Sequence, residues 1–162
     1  MRGGMLKMMT IKKGFLGVML AFFISSLSVI LVPFSSNKNG ELNTAGYVSG
    51  VLFWLGLLAG CVIYFYLLYK NKAMIQEMIE HPKRPAVINF FSNKPGTISD
   101  IVLIISLAIS IYCAVKITVN SVIVLIFLFL LLVSIYGHFL FNGKIYRYIC
   151  NMQKKSTEGK DM

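Results

Sequence analysis

Acidic residues are scarce in this chain: six Asp and Glu stand among 162 residues, and charged residues of both signs make up only 14%. A soluble domain carries about 25%. With so few charges the chain cannot cover itself with water-facing polar surface, and its mean hydropathy of +0.74 says the same. Cysteine is scarce too. Cys61, Cys113 and Cys150 form no CxxC or CxxxC pair, which excludes a disulfide framework and a zinc knuckle. They read as small apolar packing residues; Cys150, just past the last apolar run, is open to acylation.

Long apolar runs are what the chain has instead. Residues 14–34 and 48–69 carry no charge, and 121–142 carries only Ser134, His138 and Asn142 as notable polar groups. A spanning helix needs about 20 mainly apolar residues. The remaining run, Ile101 to Val115, is closed by Asp100 and Lys116. It spans if the helix covers about 98–119 and Lys116 snorkels outward. No run alternates as a barrel strand would. The expected fold is an all-α integral membrane protein: a four-helix bundle with helices near 14–34, 48–69, 98–119 and 121–142. Residues 1–150 form one membrane domain and 151–162 a disordered polar tail.

The net charge of +10 is not gathered on a basic face. Fourteen of the sixteen Lys and Arg lie before the first run, between the second and third, and after the fourth; Lys38 and Lys116 alone occupy the other connections. This distribution predicts that both termini and the middle loop are cytoplasmic. Lys12, Lys13, Lys83, Arg84, Lys144 and Arg147 then set topology and meet anionic headgroups, and no nucleic-acid partner is expected. A basic start followed by an apolar run also resembles a signal peptide, but the run is long and no A-x-A site follows. A re-entrant hairpin of the third and fourth runs would bury Lys116, which favours full crossing. The richness in Lys, Ile, Asn and Phe fits an AT-rich bacterial genome and hence a bacterial plasma membrane.

The outer loop, Ser35 to Ala45, is too short for a folded ectodomain. In the middle loop, residues 73–80 read as an amphipathic segment on the membrane surface, ended by His81-Pro82. Val87 to Phe91 read as a short dip into the interface. Pro95-Gly96 is expected to turn the chain, and Thr97-x-x-Asp100 to cap the third helix. Beyond the fourth helix, Ile145-Tyr146-Arg147-Tyr148 reads as an interfacial anchor.

Small residues recur at helical spacing. Gly14, Gly17, Ala21, Ser25 and Ser28 share an arc of about 80° on the first helix. Gly56-x-x-x-Gly60 marks the second helix, and Ser106 and Ser110 the third. Such stripes let helix backbones approach, within the chain or against a partner. Asp100 and His138 should lie at one depth on antiparallel helices, with Ser134 a turn above, as a polar pair able to relay a proton or gate a substrate. Against that stands a helix-capping Asp100 and a neutral interfacial His138. Glu77-x-x-Glu80-His81 lacks the first histidine of an HxxEH zinc motif and reads as a solvated helix face. No metal site or cofactor is expected.

No carboxylate lies in the first run, as small multidrug exporters need, and no paired cysteines serve thiol oxidation. The clustered Asp, or Arg and His, of membrane phosphotransferases and phosphatases are missing. The sequence favours a non-enzymatic accessory, regulatory or immunity-type protein working by helix association, as a homo-oligomer or with a membrane-protein partner. The alternative is a subunit of an oligomeric transporter, flippase or channel. An enzyme would have only Asp100, His138 and Glu80 to work with.

Overall fold

The computed structural model describes residues 2–73, 75, 90–115 and 121–158. Helix α1 (Arg2–Leu27) runs directly into a 3-10 segment, Ser28–Phe34; α2 is Thr44–Lys70, α3 Lys94–Val115, α4 Ser121–Phe141 and α5 Lys144–Glu158. No strand occurs among the described residues, apart from an isolated bridge between Ser36 and Leu42. Four helices are long and apolar enough to cross a membrane: Thr10–Phe34, Thr44–Lys70, Lys94–Val115 and Ser121–Phe141. The surface segment at 76–80, the basic corner Lys83-Arg84, the Glu77/Glu80/His81 motif and residues 116–119 of the third helix lie outside the described residues.

Both α2 and α3 begin four residues before the positions expected from hydropathy, for one reason. Each opens on an Asn-x-x-Gly sequence whose Asn side chain accepts the N–H of the glycine: Asn43 from Gly46 at 3.1 Å, and Asn93 from Gly96 at 2.9 Å. Such a cap satisfies an N–H that the first helical turn leaves free. Asn93 thereby takes the role that the sequence assigned to Thr97 and Asp100. Pro95 and Gly96 form the first turn of α3 rather than a reverse turn, because proline there forfeits no helical hydrogen bond. At the far end of α1 the chain tightens into the 3-10 segment, which contains Pro33. Ser26 and Ser28 donate back to the carbonyls of Phe22 (3.0 Å) and Ser25 (2.7 Å), a bonding that bends helices.

The helices line up in the order α2, α1, α4, α3, as two hairpins joined along α1 and α4 rather than as a closed bundle. The small-residue stripe of α1 is occupied by α2. A Cβ on Gly56 would sit 2.6 Å from the Ala21 carbonyl oxygen and 2.7 Å from the Ser25 nitrogen, while Gly60 lies under the Phe22 ring and Gly14 under Leu67. Ser49 closes the seam by donating to the Ser28 carbonyl at 2.9 Å. Gly17 differs, since a Cβ there would meet open space. Between hairpins, Tyr136 stacks on Phe22 at 4.4 Å and shares a 3.1 Å hydrogen bond with Ser25.

The buried apolar cluster runs from Phe22 and Val18 of α1 to one end of the molecule, where Ile11 and Phe15 join Leu67, Ile75, Leu140 and the buried face of α5. Residues 151–158, read from sequence as part of a disordered tail, are the last turns of α5. Ile145, Tyr148 and Ile149 recur at helical spacing and are buried. Burying each such side chain is worth about 1.5–3 kcal/mol, which orders the segment. Burial raises the Tyr148 phenol, and burial followed by contact with Cys150 raises that of Tyr146, so both stay neutral.

Candidate functional site: a buried Asp-His-Asn cluster

The α3–α4 hairpin is set by small residues at its paired positions. Gly137 admits the Ser99 side chain, and Gly96 admits that of Asn142. This register brings Asp100 opposite His138. Asp100 has no exposed surface and His138 only 7%. Their facing atoms, Asp100 Oδ1 and His138 Nδ1, lie 2.6 Å apart.

Asn142 completes the cluster from one turn beyond His138. Its Oδ1 accepts from the Ser92 hydroxyl at 2.5 Å and the Ser92 N–H at 3.4 Å. Because a backbone N–H can only donate, this contact identifies the amide oxygen. The Asn142 amide nitrogen therefore faces Asp100, 3.2 Å from each carboxylate oxygen and 3.0 Å from His138 Nδ1. The Phe91 N–H supplies a further donor to Asp100 Oδ2 at 2.6 Å. One proton between His138 Nδ1 and Asp100 Oδ1 joins the pair, and the Phe91 and Asn142 donors compensate the desolvation of the buried carboxyl group.

Four segments converge here. The turn before α3 enters through Phe91 and Ser92, and Phe91 takes a positive φ of 55°. That conformation is costly for a bulky residue and persists where surrounding contacts hold it. Asn93 ties the turn to α4 by donating to the Phe141 carbonyl at 2.7 Å. From α5, Arg147 donates to the Asn142 carbonyl at 3.1 Å, and its buried Nε finds no partner among the described residues. Phe90 covers the His138 ring at 4.5 Å between centroids.

Asp100 and His138 therefore come together, but Ser134 stays outside and donates to the Leu131 carbonyl at 2.8 Å. Ser106 is buried beside α4 and donates to the Val102 and Leu103 carbonyls, and Ser110 is half-buried on the same stripe. No Ser or Cys approaches the imidazole among the described residues, since Ser92 is directed at Asn142. Among the described residues the pair thus has no partner in the place of a hydrolytic triad's nucleophile. No group of three or more His, Cys, Asp or Glu suited to a metal occurs among the described residues. Chemically the arrangement can share a proton between carboxylate and imidazole, and it locks a turn and three helices together.

Sequence reading missed Asn142 as a partner, although its i+4 spacing from His138 places both on one helix face. The contribution of the Phe91 N–H left no trace in the sequence, because backbone donors carry no residue signature. Lys12 and Lys13 lie at the start of the first span, and Lys144 and Arg147 in the first turn of α5, all at the end that holds the cluster. Comparison with protein-family models, with curated proteins and with solved structures finds no match to this chain.

Proposed function

We propose that this is a four-span protein of a bacterial plasma membrane with both termini and the 71–93 connection in the cytoplasm. It works without catalysis, as an accessory, regulatory or immunity-type protein that associates with another membrane protein. The charge asymmetry between connections supports the orientation. Association is supported chiefly by the attachment of α3. Only 11% of its span is buried, against 39% for the first span, and its contacts within the chain run along the α4 face. Ile101, Ile105 and Tyr112 lie on the opposite face and are exposed.

The internal small-residue seams and the Asp100 cluster are already engaged within the chain, so they are scaffold for that face rather than the contact itself. A rigid helix presenting an unpaired apolar face suits lateral association, where packing rather than hydrophobicity drives the contact. The alternative, a subunit of an oligomeric transporter, flippase or channel, draws on Asp100 and His138, because ionisable groups in spanning helices commonly line a transport path. Native mass spectrometry of the chain extracted from its own membranes in mild detergent tests both. A second, different polypeptide at fixed stoichiometry supports the accessory reading, and a ring of identical copies supports the alternative. A bare monomer that retains full biological activity contradicts both.

A further inference from the structure

Two apolar grooves flank the α1–α4 contact, separated by the Phe22–Tyr136 ring stack. One, of about 270 Å³, lies between α2 and α4. The other, of about 250 Å³, is walled by Leu16, Met19 and Phe23 of α1 and by Val133, Gly137 and Phe141 of α4. A cation precedes the lining of this second groove along α1. Leu16, Met19, Phe23 and Ser26 follow Lys12 at intervals of four, seven, eleven and fourteen residues, so Lys12 occupies the same helix face one turn before the lining begins. No carboxylate pairs with Lys12 among the described residues. Beside this end, Phe141 packs on Tyr146 at 5.3 Å between centroids, which sets an amphipathic ring at the rim.

An apolar slot along a spanning helix, with an ammonium that has no carboxylate partner among the described residues where that span begins, has the charge pattern of a lipid: acyl chain along the slot, phosphate at the lysine. We propose that the α1–α4 groove holds one acyl chain of an anionic phospholipid whose phosphate is bound by Lys12. The inference rests on the chain being embedded in a bilayer and not on its association with a partner. Lipid adducts and protein subunits differ in mass, so the two ideas fail separately.

The test is native mass spectrometry of the full chain titrated with phosphatidylglycerol or phosphatidylcholine of matched acyl chains. One phosphatidylglycerol should be retained per chain, in preference to phosphatidylcholine by about fivefold, the scale of one lysine at an anionic surface. Lys12→Gln should abolish the preference, while Lys70→Gln, a cation seated over the Tyr66 ring on α2, should leave it intact. Met19→Trp, which fills the groove wall, should reduce retention of both lipids. Equal retention by the unmodified chain overturns the proposal, as does a preference that survives Lys12→Gln. If Met19→Trp alters folding, seen as lost helical circular dichroism, the Lys12→Gln arm alone decides.

Discussion

Asp100 and His138, thirty-eight residues apart, are joined by a 2.6 Å contact between Oδ1 and Nδ1 in a pocket from which the carboxylate has no access to solvent. The contact fixes the register of the α3–α4 hairpin at one end. Small residues at 96 and 137 permit the approach, Asn142 and the Phe91 N–H complete the acceptor demands of the carboxylate, and Arg147 links the cluster to α5.

Removing one partner of a buried pair leaves the other uncompensated, at a cost of about 3–5 kcal/mol. His138→Phe should therefore lower the unfolding free energy in detergent by about that amount, as measured by a denaturant titration followed by circular dichroism. Asp100→Asn should cost less, because an amide can still accept from the Phe91 N–H. A double-mutant cycle should give a coupling energy above about 1 kcal/mol. Additive effects would mean that the contact contributes nothing to the hairpin.

The α1–α2 seam makes a prediction that separates two glycines with the same sequence signature. Gly56 lies against the Ala21–Ser25 backbone, whereas Gly17 faces open space. Gly56→Leu must push backbone apart and should lower the melting temperature in detergent strongly, consistent with an overpacking cost of about 1–3 kcal/mol or more. Gly17→Leu should leave it nearly unchanged.

The four long helices were legible because an apolar run of about 20 residues matches the thickness of a bilayer core and suits few settings outside one. The starts of α2 and α3 were not: hydropathy places them at residues 48 and 98, while these helices begin at their asparagine caps, where polar residues already take helical geometry. The shared depth of Asp100 and His138 followed from antiparallel geometry alone. Ser134 does not join them, because one turn of separation along a helix does not oblige a serine to leave its own carbonyls. The order of α5 was hidden by its polar composition, which the spacing of Ile145, Tyr148 and Ile149 offsets.

The proposed orientation rests on the placement of cations and can be tested directly. In a background with Cys61, Cys113 and Cys150 replaced, Asn37→Cys in the first connection should react with a membrane-impermeant maleimide in intact cells. Asn151→Cys, exposed on α5, should react only after permeabilisation. Labelling of both in intact cells would refute the assignment of the C-terminal side to the cytoplasm.

The proposed role of α3 as an association surface is tested most directly by cysteine cross-linking in native membranes. Single cysteines at Ile101, Ile105 and Tyr112, on the face of α3 away from α4, are compared with cysteines at Leu55 and Leu58 on exposed positions of α2. The account predicts a discrete higher-mass adduct from the α3 positions, containing another membrane polypeptide, and none from α2. Adducts absent at all three α3 positions, in cells where the protein is active, would contradict it.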